Sequence, residues 1–173
     1  MKKKTIGFIF ICLIGIIIFG FKEAEDNTEK ENSAIQSTIV FNVYGVDSKE
    51  TEVKKETELR IARKDYDIKE SLESILNTIS EEKFEGLKID VKSIVNEDEK
   101  SIVNIDLRDI GNKSFKEDYF KGVEIGGITE SILIENVLQR EFEGEWIDGV
   151  RFTYNGEKIK NNHIPLLEYV NYR

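Results

Sequence analysis

Residues 87–107 read LKIDVKSIVNEDEKSIVNIDL, and this stretch decides the fold. Leu87, Ile89 and Val91 alternate with Lys88, Asp90 and Lys92. After the polar cluster Asn96-Glu97-Asp98-Glu99-Lys100, Val103, Ile105 and Leu107 alternate with Asn104, Asp106 and Arg108. A period of two puts apolar groups on one face of a strand and charges on the other. Two such runs around a polar turn predict an antiparallel hairpin with one wetted face. Its apolar face needs a second layer to cover it.

The flanking segments supply that layer. Before the hairpin, Ile68, Leu72, Ile75, Leu76 and Ile79 fall on one helical face, with Asp67 as the N-cap. After it, a second helix is expected to begin near Ile128, just past Gly126-Gly127, and to end at Gly144. Ile134, Val137, Leu138 and Phe142 form its main stripe, broadened by Ile128, Ile132 and Leu133. Residues 109–127 between them read as a loop of mixed character.

Ile39, Phe41 and Val43 mark an opening strand. A charged turn over residues 47–56 leads to a short second strand at Leu59 and Ile61. Val150, Phe152 and Tyr154 form another strand, Asn155-Gly156 signals a hairpin turn, and an apolar tail runs from Ile164 to Val170. The expected fold class is α+β: a two-layer sandwich of order ββαββαβ, with two helices packed on one face of a mixed sheet.

The first 21 residues stand apart. Lys2, Lys3 and Lys4 precede the uncharged run IGFIFICLIGIIIFGF, residues 6–21. As a helix this run covers about 24 Å, against a hydrocarbon core of about 30 Å. The basic flank stays inside, so the remainder is expected outside the cytoplasm, on a single-pass anchor or secreted after cleavage. Cys12 sits within the run rather than just after it, which argues against a lipid-modified cysteine. Residues 22–37, rich in charge and poor in large apolar groups, read as a flexible acidic stalk. The folded domain is expected over residues 38–173.

Composition narrows the function. Three of the 25 basic residues lie before the apolar run, leaving 22 against 34 acidic ones, a net of −12. Such a surface repels phosphate backbones, so nucleic acid is not expected as a partner. Cys12 is the one cysteine and His163 the one histidine. Neither a catalytic triad nor a two-histidine metal site fits that inventory, and His163 reads as an ordinary loop residue. Asp65, Asp67, Asp90 and Asp106 read as solvated charges rather than a catalytic pair. The acidic run 96–99 lacks the D-x-D-x-D-G order of a calcium loop and could at most bind a cation weakly. Gly126-Gly127 carries none of the accompanying residues of a phosphate loop. No catalytic residue, metal or cofactor is expected. Phe115, Tyr119 and Phe120, three aromatics in a charged segment, either cover the sheet or form an interaction surface. They are the candidate site residues.

Residues 87–107, then GGITESILIENVLQREF from Gly126 to Phe142, then WIDGVRFTYNGEKI from Trp146 to Ile159, resemble the GerM domain of sporulation and spore-germination proteins. The matching positions are Val103, Ile105 and Leu107; Gly126, Gly127 and Glu130; and Val150, Phe152, Tyr154 and Gly156. The chain departs from the family pattern in having no proline near Ile79-Ser80-Glu81-Glu82. The resemblance implies a non-catalytic, extracytoplasmic interaction module. Its partner would be a cell-envelope protein or a second copy of the chain, in an assembly built during sporulation or germination. The alternative is an envelope domain that binds a ligand or modifies the cell wall.

Overall fold

The computed structural model describes residues 38–46 and 53–173. The anchor and stalk expectations fall outside them. Strands β1 (Thr38–Val46) and β2 (Val53–Ala62) pair as a two-stranded sheet. Helix α1 (Ile68–Lys83) follows, then the hairpin of β3 (Lys88–Glu97) and β4 (Lys100–Arg108). A one-turn helix α2 (Phe115–Asp118) and a long helix α3 (Val123–Leu138) lead to β5 (Gly149–Tyr154), β6 (Glu157–Lys158) and β7 (Asn171–Tyr172).

The larger sheet runs β3-β4-β5-β6, with β7 also on β5. Strands β3 and β4 are antiparallel, whereas β4 and β5 are parallel and joined by a crossover through α2 and α3. The protein is therefore a mixed α+β fold on a mixed sheet. One continuous core joins Leu72, Ile75, Leu76 and Ile79 of α1 to Val103, Ile105 and Leu107 of β4. Leu133, Val137 and Leu138 of α3 and Val150 and Phe152 of β5 belong to the same core.

Asp67 caps α1 as expected, its side chain accepting from Glu70 N at 2.9 Å. The second main helix departs from expectation. It begins at Val123, five residues before Ile128, and ends at Leu138, well short of Gly144. Nine of its sixteen residues are buried, among them the polar Thr129, Glu130 and Asn136. A helix covered on more than one side loses the apolar stripe that marks its ends in sequence. Gln139, in the left-handed conformation at φ 45°, stops it.

Strand β2 is longer than its apolar residues suggested, beginning at Val53 inside the expected turn. The apolar tail forms a 3-10 turn over Pro165–Glu168 before β7. The β3–β4 turn is tight: Glu97 pairs with Lys100, and both Asp98 (φ 50°) and Glu99 (φ 64°) are left-handed. Two-residue turns of this kind favour glycine at the second position, where a Cβ is strained. Glu99→Gly should therefore raise stability by about 1 kcal/mol in urea titrations, despite the greater flexibility of the unfolded polypeptide. A loss of stability would show that the turn tolerates Glu99 without strain.

The expectation of a single sheet is corrected by β1. Instead of a third strand, it meets two side-chain amides, one in α3 and one at its C-cap. Asn136 Oδ1 accepts from Tyr44 N at 3.0 Å, and its Nδ2 donates to Tyr44 O at 2.8 Å. Gln139 Oε1 accepts from Asn42 N at 3.0 Å, and its Nε2 donates to Asn42 O at 2.7 Å. The rise between Asn136 and Gln139 on a helix is about 4.5 Å, whereas alternate strand residues stand about 6.6 Å apart. The longer glutamine side chain bridges the difference. These contacts run β1 antiparallel to α3, so the start of β1 lies at the helix C-terminal end.

Candidate interaction surface

Residues 109–127, expected as a loop, contain α2 and the first turn of α3. Ser114 caps α2. Phe115 is fully buried and Phe120 is 2% exposed, stacked at 5.7 Å between ring centres. Phe115 also packs on Phe84 at 5.4 Å, and Phe120 meets Tyr154 edge-on at 5.6 Å. Only Tyr119 is half-buried. The candidate surface of Phe115, Tyr119 and Phe120 is thus corrected: two of the three rings close the core, where their large apolar area is best removed from water.

Asp109 fastens this segment. Its carboxylate accepts from Phe115 N at 2.9 Å, from Ser114 Oγ at 3.2 Å and from the Tyr154 hydroxyl. Burial alone would raise its pKa. The hydrogen bonds from Tyr154, Phe115, Asn155 and Ser114 outweigh that and hold it below the usual carboxylate range.

Asp106 is also corrected. Strand parity places it on the wetted face, yet it is 3% exposed. Thr153 Oγ1 donates to it at 2.7 Å and Gly156 N at 2.8 Å, and Arg108 lies 3.4 Å away. Asp90 stands opposite it in the ladder, with Lys88 at 3.3 Å and Arg108 at 3.8 Å. The acidic turn is engaged as well. Both Glu97 oxygens bind Arg151, at 2.9 and 2.7 Å, and this lowers the Glu97 pKa. That carboxylate is committed to the arginine rather than open to a cation. Among the described residues no group of three or more His, Cys, Asp or Glu could hold a metal ion.

The C-terminal segment docks on the start of α3. Gly126 and Gly127 lie inside the helix, and Gly126 N already donates to Gly122 O, which removes the anion-cradle reading. A Cβ on Gly126 would stand 2.2 Å from His163 O. Glycine is needed there for close approach, not for a turn. His163 Nδ1 accepts from Gly122 N at 3.0 Å, so the histidine pins this loop to the helix. Glu130, 7% exposed, accepts from Leu166 N at 3.0 Å and so holds the 3-10 turn.

Burial raises the Glu130 pKa, and the hydrogen bond from Leu166 opposes it only in part. A raised folded-state value means the folded protein holds the proton more tightly than the unfolded one. This group's contribution to stability is therefore present at acid pH and lost as pH rises through that raised value. Glu130→Gln keeps an acceptor for Leu166 N without the buried charge. It should match wild type in acid and exceed it at neutral pH in urea unfolding. Equal pH profiles for the two proteins would refute the assignment.

Four exposed apolar side chains belong to α3 and to the segment docked on it. Val123 (76% exposed) and Ile125 (41%) lie in the first turn of α3, and Leu166 (50%) and Tyr169 (66%) in the segment docked on it. They are four of the seven large apolar residues exposed in the described domain. Sequence reasoning missed them because exposed and core apolar groups look alike in one dimension. The available signal was Val123 directly following a glycine, outside any periodic stripe.

Two strand edges are partly blocked from pairing. Amides of α3 and its C-cap occupy β1 at Asn42 and Tyr44, and β3 carries a bulge between Val91 and Ser93. Lysines at 88 and 92 further blunt the β3 edge.

The fold defines a mixed α+β domain with its C-terminal segment docked along its longest helix. No family model, curated protein or solved structure matches the sequence.

Proposed function

We propose that the protein is a membrane-tethered, extracytoplasmic protein-interaction module of the GerM type. It acts by binding rather than by catalysis, within an envelope complex assembled during sporulation or germination. The observation that carries this reading is the exposure of Val123, Ile125, Leu166 and Tyr169 on a framework braced by Glu130, His163 and Gly126. Single exposed apolar residues need no explanation, but four on two elements fixed to one another make these elements the candidate contact surface. The GerM resemblance supplies the envelope setting, and the basic-flanked apolar run supplies the tether.

The test is photo-crosslinking from positions 123 and 166 of the full-length protein in sporulating cells. An envelope protein should be captured, and Val123→Glu with Tyr169→Glu should reduce capture by about tenfold or more while the domain stays folded. No crosslinked protein, together with a strictly monomeric full-length form, would overturn the proposal.

A further inference from the structure

Asn155-Gly156 is the one Asn-Gly pair in the sequence, and it forms the exposed turn between β5 and β6. In such a pair the glycine main-chain nitrogen attacks the amide carbon of the asparagine side chain. The new N–C bond closes a succinimide, while the bond from that carbon to the asparagine nitrogen breaks and this nitrogen leaves as ammonia. Water then opens the ring at either carbonyl, giving aspartate or isoaspartate. Glycine permits the approach because it carries no Cβ. The step needs loss of the glycine N–H proton and an asparagine side chain free to swing towards it.

Both requirements are opposed here. Gly156 N–H donates to Asp106 Oδ1 at 2.8 Å, and Asp106 is almost fully buried. Removing that proton would set an amide anion against a carboxylate, which disfavours it. The Asn155 side chain is held at both ends. Its Oδ1 accepts from Asp109 N at 3.2 Å, and its Nδ2 donates to Asp109 Oδ2 at 3.3 Å. Asp109 is itself fastened to Phe115 N, so the clamp is tied to the core.

We propose that Asn155 is a conditional deamidation site: Asp106 and Asp109 keep it unreactive in the folded turn, and it converts when the turn opens. Conversion favours further opening. A carboxylate at position 155 replaces the Nδ2 donor that now faces Asp109 and sets two like charges against each other. The modified turn then recloses poorly, so the product records past opening. The inference rests on the β5–β6 turn alone and stands whatever the domain binds.

The experiment incubates the full-length protein in detergent at mildly alkaline pH and follows conversion by tryptic mass spectrometry. Cleavage after Arg151 and Lys158 releases residues 152–158, in which Asn155 is the single asparagine. The native protein should convert about tenfold more slowly than the same protein in urea. Asp109→Ala, checked for folding by circular dichroism, should raise the native rate about tenfold. If that variant does not fold, Asp106→Asn carries the test: it keeps an oxygen for Gly156 N–H but removes the charge, and it should also convert faster than wild type. Equal rates in native buffer and urea would overturn the protection. A folded variant that converts at the wild-type rate would overturn the clamp.

Discussion

Asn136→Ala should destabilise the domain by about 2–5 kcal/mol, because it strips the partners from both Tyr44 N and Tyr44 O at a buried site. Each orphaned main-chain group costs about 1–3 kcal/mol when water cannot replace the partner. Alanine is the better helix former by a few tenths of a kcal/mol, roughly, which offsets little of this. Since small domains are stable by only about 5–15 kcal/mol, the variant should stand near its unfolding threshold. Asn136→Asp separates the two halves of the interaction. It keeps an acceptor for Tyr44 N, loses the donor to Tyr44 O and Ile132 O, and buries a charge. Its deficit should therefore exceed that of alanine at neutral pH and shrink in acid, where a protonated carboxyl can donate. Urea titration and amide exchange at Asn42 and Tyr44 measure both effects. An Asn136→Ala loss below about 1 kcal/mol would mean that these amides do not hold β1 against α3.

The second large effect is a contrast between neighbours. Helix propensity alone predicts that Gly126→Ala and Gly127→Ala each stabilise α3 by about 0.5–1 kcal/mol. Gly127 has open space around its missing Cβ and should follow that rule. Gly126 should reverse it. Its Cβ would meet His163 O at 2.2 Å and His163 C at 2.9 Å, which are main-chain atoms that cannot swing aside. The C-terminal segment would have to lift, weakening the His163–Gly122 and Glu130–Leu166 bonds. Overpacking of this kind costs about 1–3 kcal/mol, so the net change should be a loss of that order. Faster proteolysis after Lys158 or Lys160 should accompany it. Two alanine variants of the same sign would show that the segment does not depend on close approach to α3.

Both predictions concern residues whose meaning is not local. Gly126 and Gly127 are indistinguishable in sequence, and a distant carbonyl tells them apart. Asn136 interrupts the apolar series Ile132, Leu133 and Val137, and this was the one trace it left in the sequence. A polar residue inside an apolar run points either to solvent or to a buried partner, and periodicity does not choose between them. The same ambiguity hid Asp106. Alternation put it on the polar face correctly, but Thr153, Gly156 and Arg108, from other segments, enclose it there.

What the sequence by itself determined was a set of features governed by near neighbours. The β3–β4 hairpin follows from strict alternation around a polar turn. Asp67 and the i, i+4, i+7 spacing behind it define α1, and Asn155-Gly156 defines the β5–β6 turn, because caps, stripes and tight turns are set within a few residues. Tertiary structure alone decided how those pieces are joined and covered. It buried Phe115 and Phe120, extended α3 to Val123, held β1 with two side-chain amides and left Val123, Ile125, Leu166 and Tyr169 in solvent. Each of these depends on which distant surface removes a group from water or satisfies its hydrogen bonds, and that information arises only when segments far apart in sequence come into contact.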